Sequence, residues 1–214
     1  MPAEPFKFDG LLDNWKSDKI MRFCKKSALD IGCNTGELVA FLNERNIYAE
    51  GIDSNESFIT KARSKNVDLN FHCGIDLSIF RNNQFESVIA WNVLEHIEND
   101  DIALKEMLRI ASNNVILCIP KEDELSLPNS LVTYRPYVDP THKHYYTPER
   151  IKNMVSDIGK FEIYFEDTTR VHPVLAYNKI GIPYWICSLI DTIFWKFGTE
   201  KHLFYADLIV VVNK

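Results

Sequence analysis

Hydrophobic positions along the chain alternate between short apolar runs and longer stretches with helical spacing. The short runs are rich in Val, Ile and Phe and predict strands at 27–31, 49–53, 69–73, 87–91, 114–119, 161–165 and 208–212. The longer stretches predict helices at 12–25, 36–43, 55–64, 100–111 and 148–158. Strands that alternate with helices are typical of crossover units, so we expect an α/β fold whose parallel sheet carries helices on both faces.

Two of the predicted strands are apolar at nearly every position rather than at every second one. They are the runs 88–91 and 115–119. Such runs are typical of strands buried on both faces of a sheet. Sheets of this kind bind ligands at the carboxyl ends of their strands, which makes the loops at that edge the place to look for chemistry.

The composition is that of one globular domain with an acidic balance. The 214 residues are 46% hydrophobic and 25% charged, with a net charge of −6. A chain of this length forms a single domain, so we treat 1–214 as one unit in which 1–25 is an N-terminal helical cover. DNA is not expected as a partner, because phosphate binding needs a basic face.

The cysteines are typical of a reducing compartment. The 5 cysteines are scattered and form no Cys-x-x-Cys pair, so neither a disulfide framework nor a structural zinc site is expected. The first ten or so residues lack the pattern of a signal peptide, and no uncharged apolar run reaches the roughly 18 residues of a spanning helix. We therefore expect a cytoplasmic protein.

A glycine-containing segment follows the first predicted strand. From Asp30 to Gly36 it reads Asp-Ile-Gly-Cys-Asn-Thr-Gly, and its two glycines permit backbone angles and close ligand approaches that other residues forbid. The spacing between Gly32 and Gly36 differs from the Gly-x-Gly-x-x-Gly of dinucleotide sites. Asp30 would repel a diphosphate but attract a ligand amine. The segment therefore favours a site for S-adenosylmethionine over one for NAD. The alternative is that it binds no ligand and is a plain turn between strand and helix.

A second acidic residue ends the next predicted strand. Asp53 follows Gly32 at about the distance, roughly 20 residues, at which a carboxylate binds the ribose hydroxyls of a nucleotide cofactor. Ser54 and Asn55 come next and are suited to cap a helix. The alternative is that Asp53 is itself a cap or turn residue, but the glycine segment upstream favours ribose binding.

Three segments resemble successive motifs of class I S-adenosylmethionine-dependent methyltransferases, in particular the small-molecule, ubiquinone-biosynthesis-like branch. They are 29–36, 51–53 and 85–97, and they occur in the family's order and spacing. The resemblance covers roughly residues 25 to 120. It implies a three-layer α/β/α, Rossmann-like fold with a seven-stranded, mostly parallel sheet and an antiparallel last strand.

The resemblance also implies which residues bind the cofactor. Those after the first strand would face its methionine part, those after the second its ribose, those after the third its adenine, and those after the fourth its reactive side. In that order the predicted set is Asp30, Gly32, Cys33, Asn34 and Gly36, then Asp53 and Ser54, then Asp76 and Leu77, and finally Asn92 and Val93. Asn34 stands where relatives commonly have glycine, and asparagine tolerates a left-handed backbone.

The activity that the resemblance implies is methyl transfer from S-adenosylmethionine, with S-adenosylhomocysteine as product. We expect a small-molecule or lipid-like acceptor methylated on oxygen, nitrogen or carbon. An RNA or protein methyltransferase and a non-catalytic protein that binds S-adenosylmethionine remain alternatives. The Asn/Asp-Pro-Pro-aromatic signature of enzymes that methylate exocyclic base amines is absent after the fourth predicted strand.

The loop after the fifth predicted strand contains most of the candidate acid–base groups. This acceptor-side loop, 120–147, includes two histidines and several tyrosines. We predict His142 as the first choice for a general base and His144 as the second. The alternative is that both histidines only hold together, by hydrogen bonds, a loop that covers the substrate. A His-x-His pair without a third ligand does not make a metal site, so none is predicted. His96 is expected to support the local structure, and Thr147 to cap the next helix.

A long apolar insert, 168–205, separates the sixth and seventh predicted strands. Within it a helix starting at Pro183 has one wide apolar face, made of Trp185, Ile186, Leu189, Ile190, Ile193, Phe194 and Phe197. This face could pack over the domain or across a homodimer. It could instead contact a hydrophobic acceptor or a membrane surface peripherally.

Overall fold

The structure is a computed structural model that describes residues 14–120, 141–144, 146–167, 181–197 and 207–214. Within these residues the strands are β1 Ser27–Ile31, β2 Tyr48–Asp53, β3 Phe71–Cys73, β4 Phe85–Trp91, β5 Ala111–Pro120, β6 Glu162–Asp167 and β7 Asp207–Asn213. The helices are α1 Asn14–Phe23, α2 Glu37–Asn43, α3 Glu56–Lys65, α4 Asp100–Ile110, α5 Pro148–Ile158 and α6 Tyr184–Phe197. Every predicted strand and helix is present, with ends that differ by a few residues.

The strands form one sheet in the order β3-β2-β1-β4-β5-β7-β6. Pairs within β3-β2-β1-β4-β5 are parallel, whereas β7 runs antiparallel to both β5 and β6. The predicted seven-stranded, mostly parallel sheet with an antiparallel last strand is therefore confirmed. Because β2, β1 and β4 are neighbours, the loops that follow them lie side by side at one edge of the sheet.

The sheet separates two hydrophobic cores, which gives the molecule its three layers. Successive side chains of a strand point to opposite faces, and in β1 Ala28 belongs to one core while Leu29 belongs to the other. Apolar residues of α1, α2 and α3 complete the first core, and those of α4 and α5 the second. One core packs on each face of β4 and β5, which explains the nearly continuous apolar runs in these two strands.

Local signals explain where several helices begin. Thr147 caps α5 by accepting a hydrogen bond from the Arg150 N–H at 3.1 Å, as predicted. Asn55 caps α3 in the same way, with the Ser57 N–H at 3.0 Å. Gly36 precedes α2 with a left-handed φ of 85°, which glycine adopts without strain. The side-chain caps at Thr147 and Asn55 satisfy N–H groups that have no partner within the helix.

Helix α6 lies between β6 and β7, as the sequence predicts, and several of its apolar side chains are exposed. Trp185 is 69% exposed and Leu189 54%. Residues 168–180 and 198–205 of the predicted insert lie outside the described residues. The homodimer and membrane contacts expected for the apolar face of α6 stay predictions. Among the helices of the described residues, none combines the length and the hydrophobicity needed to span a bilayer.

Candidate active site

The glycine segment forms a tight connection between β1 and α2. Gly32 and Gly36 have φ values of 74° and 85°, and Asn34 has a φ of 50°, so all three take the left-handed conformation expected of them. A Cβ atom at Gly32 would stand 2.4 Å from Cγ2 of Val93, and one at Gly36 would stand 2.7 Å from the ring of Phe71. Only glycine fits at these two positions, because an added side chain would meet Val93 or Phe71 and would strain a left-handed backbone.

Asp53 connects the glycine segment to the end of β2. Its Oδ2 accepts a hydrogen bond from the Asn34 N–H at 2.9 Å, and its Oδ1 accepts one from the Asn55 N–H at 2.8 Å. Each carboxylate oxygen has a further lone pair. The side chain is half-buried, so the carboxylate is held firmly by the protein while it can still accept hydrogen bonds from two adjacent hydroxyl groups.

Asp30 is a buried carboxyl group directly before the glycines. It is 3% exposed, and burial raises its pKa to about 7, opposed by the positive charge of Lys16 and reinforced by the negative charges of Asp53 and Glu37. The Lys16 ammonium lies 5.4 Å from the centre of the Trp91 ring, which brings α1 over this edge of the sheet. A cationic ligand group beside Asp30 would favour its ionised form.

The loop after β3 contains the residues predicted to lie near the adenine. Asp76 is exposed, and its Oδ1 accepts a hydrogen bond from the Ser78 N–H at 2.9 Å. Hydrogen bonding from the Ser78 side chain and, to a smaller extent, from its backbone N–H lowers the pKa of Asp76. Leu77 is half-buried against the core, whereas Ile75 is 84% exposed at the same edge. The adenine contacts of Asp76 and Leu77 stay predictions.

Asn92 and Val93 leave β4 beside the glycine segment. Asn92 has a left-handed φ of 53°, and its N–H donates to the Cys118 carbonyl oxygen at 2.9 Å. This conformation turns the chain sharply at the end of the strand. Val93 then packs directly against Gly32. The structure thus brings together the parts of the predicted cofactor site that follow β1, β2 and β4.

A short 3-10 turn, Leu94–His96, continues from Val93 and holds the end of the acceptor-side loop. The carbonyl oxygen of Glu95 accepts hydrogen bonds from the N–H groups of Lys143 at 2.8 Å and His144 at 3.3 Å. Nδ1 of His96 lies 3.1 Å from Oγ1 of Thr141. His96 therefore anchors this loop. Residues 121–140 and 145 of the loop lie outside the described residues.

The two histidines predicted as bases occupy different surroundings. His142 is half-buried, and its ring centre lies 4.8 Å from that of His96. His144 instead has Nε2 at 3.1 Å from the Glu98 carbonyl oxygen and Nδ1 at 3.2 Å from Arg150. Because arginine can only donate, Nδ1 is the acceptor, and Nε2–H donates to Glu98. The catalytic roles of both histidines stay predictions.

Two further charged residues near this edge were not among the predicted site residues. Glu95 is fully buried beside His96 and His142. Lys16 belongs to α1, far from the motifs in sequence, and acts on Asp30. A carboxylate four positions after the end of the apolar strand β4, at the edge where sites form, was a usable signal for Glu95. The sequence contained none for Lys16, since it is one of three basic residues on α1 and does not stand out among them.

A comparison with family models decides the relationship of this chain. The model described as "Methionine biosynthesis protein MetW" matches residues 17–125. The chain belongs to the MetW family. The matched part of this MetW-family chain includes the glycine segment, Asp53 and the 3-10 turn after β4. A search of curated proteins gives no significant match.

Solved structures with the same fold include several methyltransferases. An S-adenosylmethionine-dependent methyltransferase from Archaeoglobus fulgidus has a TM-score of 0.64 and 18% identity, with 92% of each chain covered. The magnesium protoporphyrin IX methyltransferase of Synechocystis, solved with bound S-adenosylmethionine, has a TM-score of 0.59 and 14% identity, covering 97% of this chain and 87% of that one. The [4+2]-cyclase SpnF has a TM-score of 0.62 and 19% identity, covering 92% and 80%. The MetW-family chain thus has the class I methyltransferase fold.

Proposed function

We propose that this protein is an S-adenosylmethionine-dependent methyltransferase that acts on a small-molecule or lipid-like acceptor. The cofactor would bind along the carboxyl edge of β1, β2 and β4 and leave as S-adenosylhomocysteine. The description of the family refers to methionine biosynthesis, which supports a small-molecule acceptor. The acidic net charge of −6 argues against a nucleic-acid acceptor.

The observation that carries the proposal is a pair of carboxylates that flank one glycine turn, one directly before it in the chain and one at the end of the neighbouring strand β2. Asp30 is buried beside the turn, and Asp53 is hydrogen-bonded to its main chain. S-adenosylmethionine has a cationic amine and sulfonium at one end and a ribose diol next to them. Asp30 can neutralise the cationic part, and Asp53 can accept the hydrogen bonds of the diol. A dinucleotide would bring its diphosphate against Asp30 instead.

The protein's part in methyl transfer is mainly positioning, because the sulfonium of the cofactor supplies the reactive methyl group. Val93 packs against Gly32 of the glycine turn, and the 3-10 turn Leu94–His96 follows Val93 in the chain. An acceptor bound there would approach the methyl group past His142. His142 is our choice for the base that removes a proton from an acceptor hydroxyl or amine.

A second candidate function is cofactor binding without methyl transfer. SpnF, which has this fold, is named a [4+2]-cyclase, so the fold is compatible with another reaction. The two candidates share the cofactor pocket and differ in turnover. Incubation with radiolabelled S-adenosylmethionine and a set of hydroxyl and amine acceptors separates them, since only a methyltransferase moves the label to the acceptor.

Calorimetry tests the cofactor assignment directly. We expect the wild type to bind S-adenosylmethionine and S-adenosylhomocysteine but not NAD, and Asp53→Ala to weaken binding of both sulfur compounds by at least about tenfold. Asp68→Ala, at an exposed site between α3 and β3, is the matched control and should bind as the wild type does. Equal binding by Asp53→Ala and Asp68→Ala, or tight binding of NAD, would overturn the assignment.

A further inference from the structure

We propose that Glu95, His96 and His142 bind one divalent transition-metal ion at the acceptor side of the site. Each of the three offers one ligand atom, and all three atoms lie within 4.8 Å of one another. No metal was expected from the sequence, because His142 and His144 alone lack a third ligand. The fold supplies the missing ligands from the turn after β4, some 45 residues earlier in the chain.

The main chain fixes the three residues relative to one another. Glu95 and His96 are consecutive in the 3-10 turn Leu94–His96. His142 is connected to this turn because the next residue, Lys143, donates its N–H to the Glu95 carbonyl oxygen at 2.8 Å. The convergence therefore depends on backbone hydrogen bonding and not only on the rotamers of the three side chains. A preformed ligand set loses little conformational entropy when an ion binds.

The surroundings of His96 are those of a metal-binding imidazole. Its Nδ1 lies 3.1 Å from Oγ1 of Thr141 and 3.2 Å from the Thr141 carbonyl oxygen. Metal-binding histidines usually donate their second ring N–H to such an acceptor, which fixes the tautomer and the ring orientation. Nε2 of His96 then serves as the ligand. The Glu95 side chain, at 0% exposed, provides the negative charge of the site.

The ligand types select the class of ion. Two imidazoles and one carboxylate are a ligand set of catalytic zinc sites and of non-haem iron(II) sites. Magnesium and calcium prefer oxygen ligands and fit poorly here. A tetrahedral ion with bonds near 2.1 Å separates its ligand atoms by roughly 3.4 Å. The separations, at most 4.8 Å, therefore need to shorten by no more than about 1.4 Å, which small side-chain rotations can supply.

The proposed ion would lie near the cofactor turn, where it could bind the acceptor. The 3-10 turn follows Val93, which packs on Gly32 of the cofactor turn. Three protein ligands leave coordination positions open, and an oxygen of the acceptor would occupy one of them and be oriented by the ion. With the ion bound, His142 would be a ligand and not the base, and the ion would make the acceptor oxygen easier to deprotonate. This role rests on the proposed methyltransferase function, whereas binding of the ion does not.

Metal titration of the purified full chain tests the site. After removal of metals with a chelator, Zn²⁺ is titrated by calorimetry and Co²⁺ by its visible absorption bands. We expect one tight ion per chain. His142→Gln and the isosteric Glu95→Gln should each weaken binding by at least about tenfold. His144→Gln is the matched control in the same loop, because its ring contacts Arg150 and Glu98 instead, and it should bind the ion as the wild type does.

The outcomes separate this inference from the proposed function. No stoichiometric binding by the wild type, or equal losses in His142→Gln and His144→Gln, overturns the metal site. If Glu95→Gln, at a buried position, does not fold, the comparison of His142→Gln with His144→Gln still tests the metal site. S-adenosylhomocysteine affinity is measured on the same samples. Metal binding without cofactor binding supports the metal site and contradicts the methyltransferase function. Cofactor binding without metal binding contradicts the metal site and supports the methyltransferase function.

Discussion

The main-chain N–H of Asn34 donates a hydrogen bond to the Asp53 carboxylate at 2.9 Å. This bond joins the turn after β1 to the end of β2, so the two motifs form one unit rather than two independent ligand contacts. Oδ1 of the same carboxylate accepts the N–H of Asn55, the cap of α3. Asp53 therefore supports the local structure and is at the same time available to a ligand.

Asp53→Asn is expected to affect both stability and cofactor binding. The amide NH₂ cannot accept, so it faces one of the two backbone N–H donors and leaves that donor unsatisfied. We expect a loss of roughly 1–2 kcal/mol in the free energy of unfolding and at least about tenfold weaker binding of S-adenosylhomocysteine. Urea denaturation and calorimetry measure the two effects. Unchanged stability would contradict the dual role, and Asp68→Asn controls for the loss of one acidic charge.

Gly32→Ala should disrupt the contact between the glycine turn and Val93. The added Cβ would stand 2.4 Å from Cγ2 of Val93, at a φ of 74°, which combines a clash with backbone strain. The expected loss is roughly 2–4 kcal/mol. Thermal and urea unfolding provide the measurement.

Two further variants separate the clash from the strain. Gly74→Ala is a control with a φ of 136° and no atom within 4 Å of the added Cβ, so only strain remains and the loss should be smaller. The double variant Gly32→Ala/Val93→Ala should show a favourable coupling energy, because the second change removes the clashing methyl. Additive losses in the double variant would argue against the contact.

Asp30 should make stability depend on pH. Burial raises its pKa to about 7, above the ordinary value of 3.8, so its contribution is fully present below about 4 and is lost as the pH rises to about 7. Asp30→Asn has no titratable carboxyl at this position and does not lose this contribution. The free energy of unfolding of the variant minus that of the wild type should therefore grow between pH 4 and 7, by at most on the order of 4 kcal/mol. A flat difference over this range would contradict the burial argument.

The same group should make cofactor binding depend on pH. A ligand with a cationic amine and sulfonium binds better to the ionised form of Asp30, so affinity for S-adenosylmethionine should rise with pH across about 6 to 8. Calorimetry at several pH values measures this, and protein titrated near pH 7 should release protons as the ligand binds. Asp30→Asn should bind more weakly and lose the dependence. A pH-independent affinity in the wild type would sink the prediction.

The anchoring of the acceptor-side loop should depend on Tyr146. Its buried hydroxyl donates to Oδ2 of Asp100 at 3.0 Å, and the same oxygen accepts from Arg150 at 2.8 Å. Tyr146→Phe keeps the packing and removes one hydrogen bond to a carboxylate, for a loss of roughly 1–3 kcal/mol in the free energy of unfolding. Tyr164→Phe, at a more exposed hydroxyl, is the control and should cost less. Equal losses would argue against the network.

The local sequence predicts most of the strands and helices correctly, but it predicts the residues at which they begin and end less accurately. Helix α5 has the predicted bounds because Thr147 and Pro148 define its start. Strand β3 begins at Phe71, two residues later than predicted. The Leu69 N–H bonds back to the Asn66 carbonyl oxygen in a turn, and apolar content does not distinguish this turn from a strand. Strand β5 is longer than predicted because pairing with β4 and β7 extends it.

The sequence by itself determined the order of strands and helices, the glycine turn and the carboxylate at Asp53, because periodicity and backbone preference act over a few residues. Only the tertiary structure decided which distant groups meet. Lys16 comes near Asp30 because α1 packs over the sheet edge. His142 joins Glu95 because the acceptor-side loop bonds to the turn after β4. Burial and contact between remote residues depend on how the layers pack, and no local pattern encodes that.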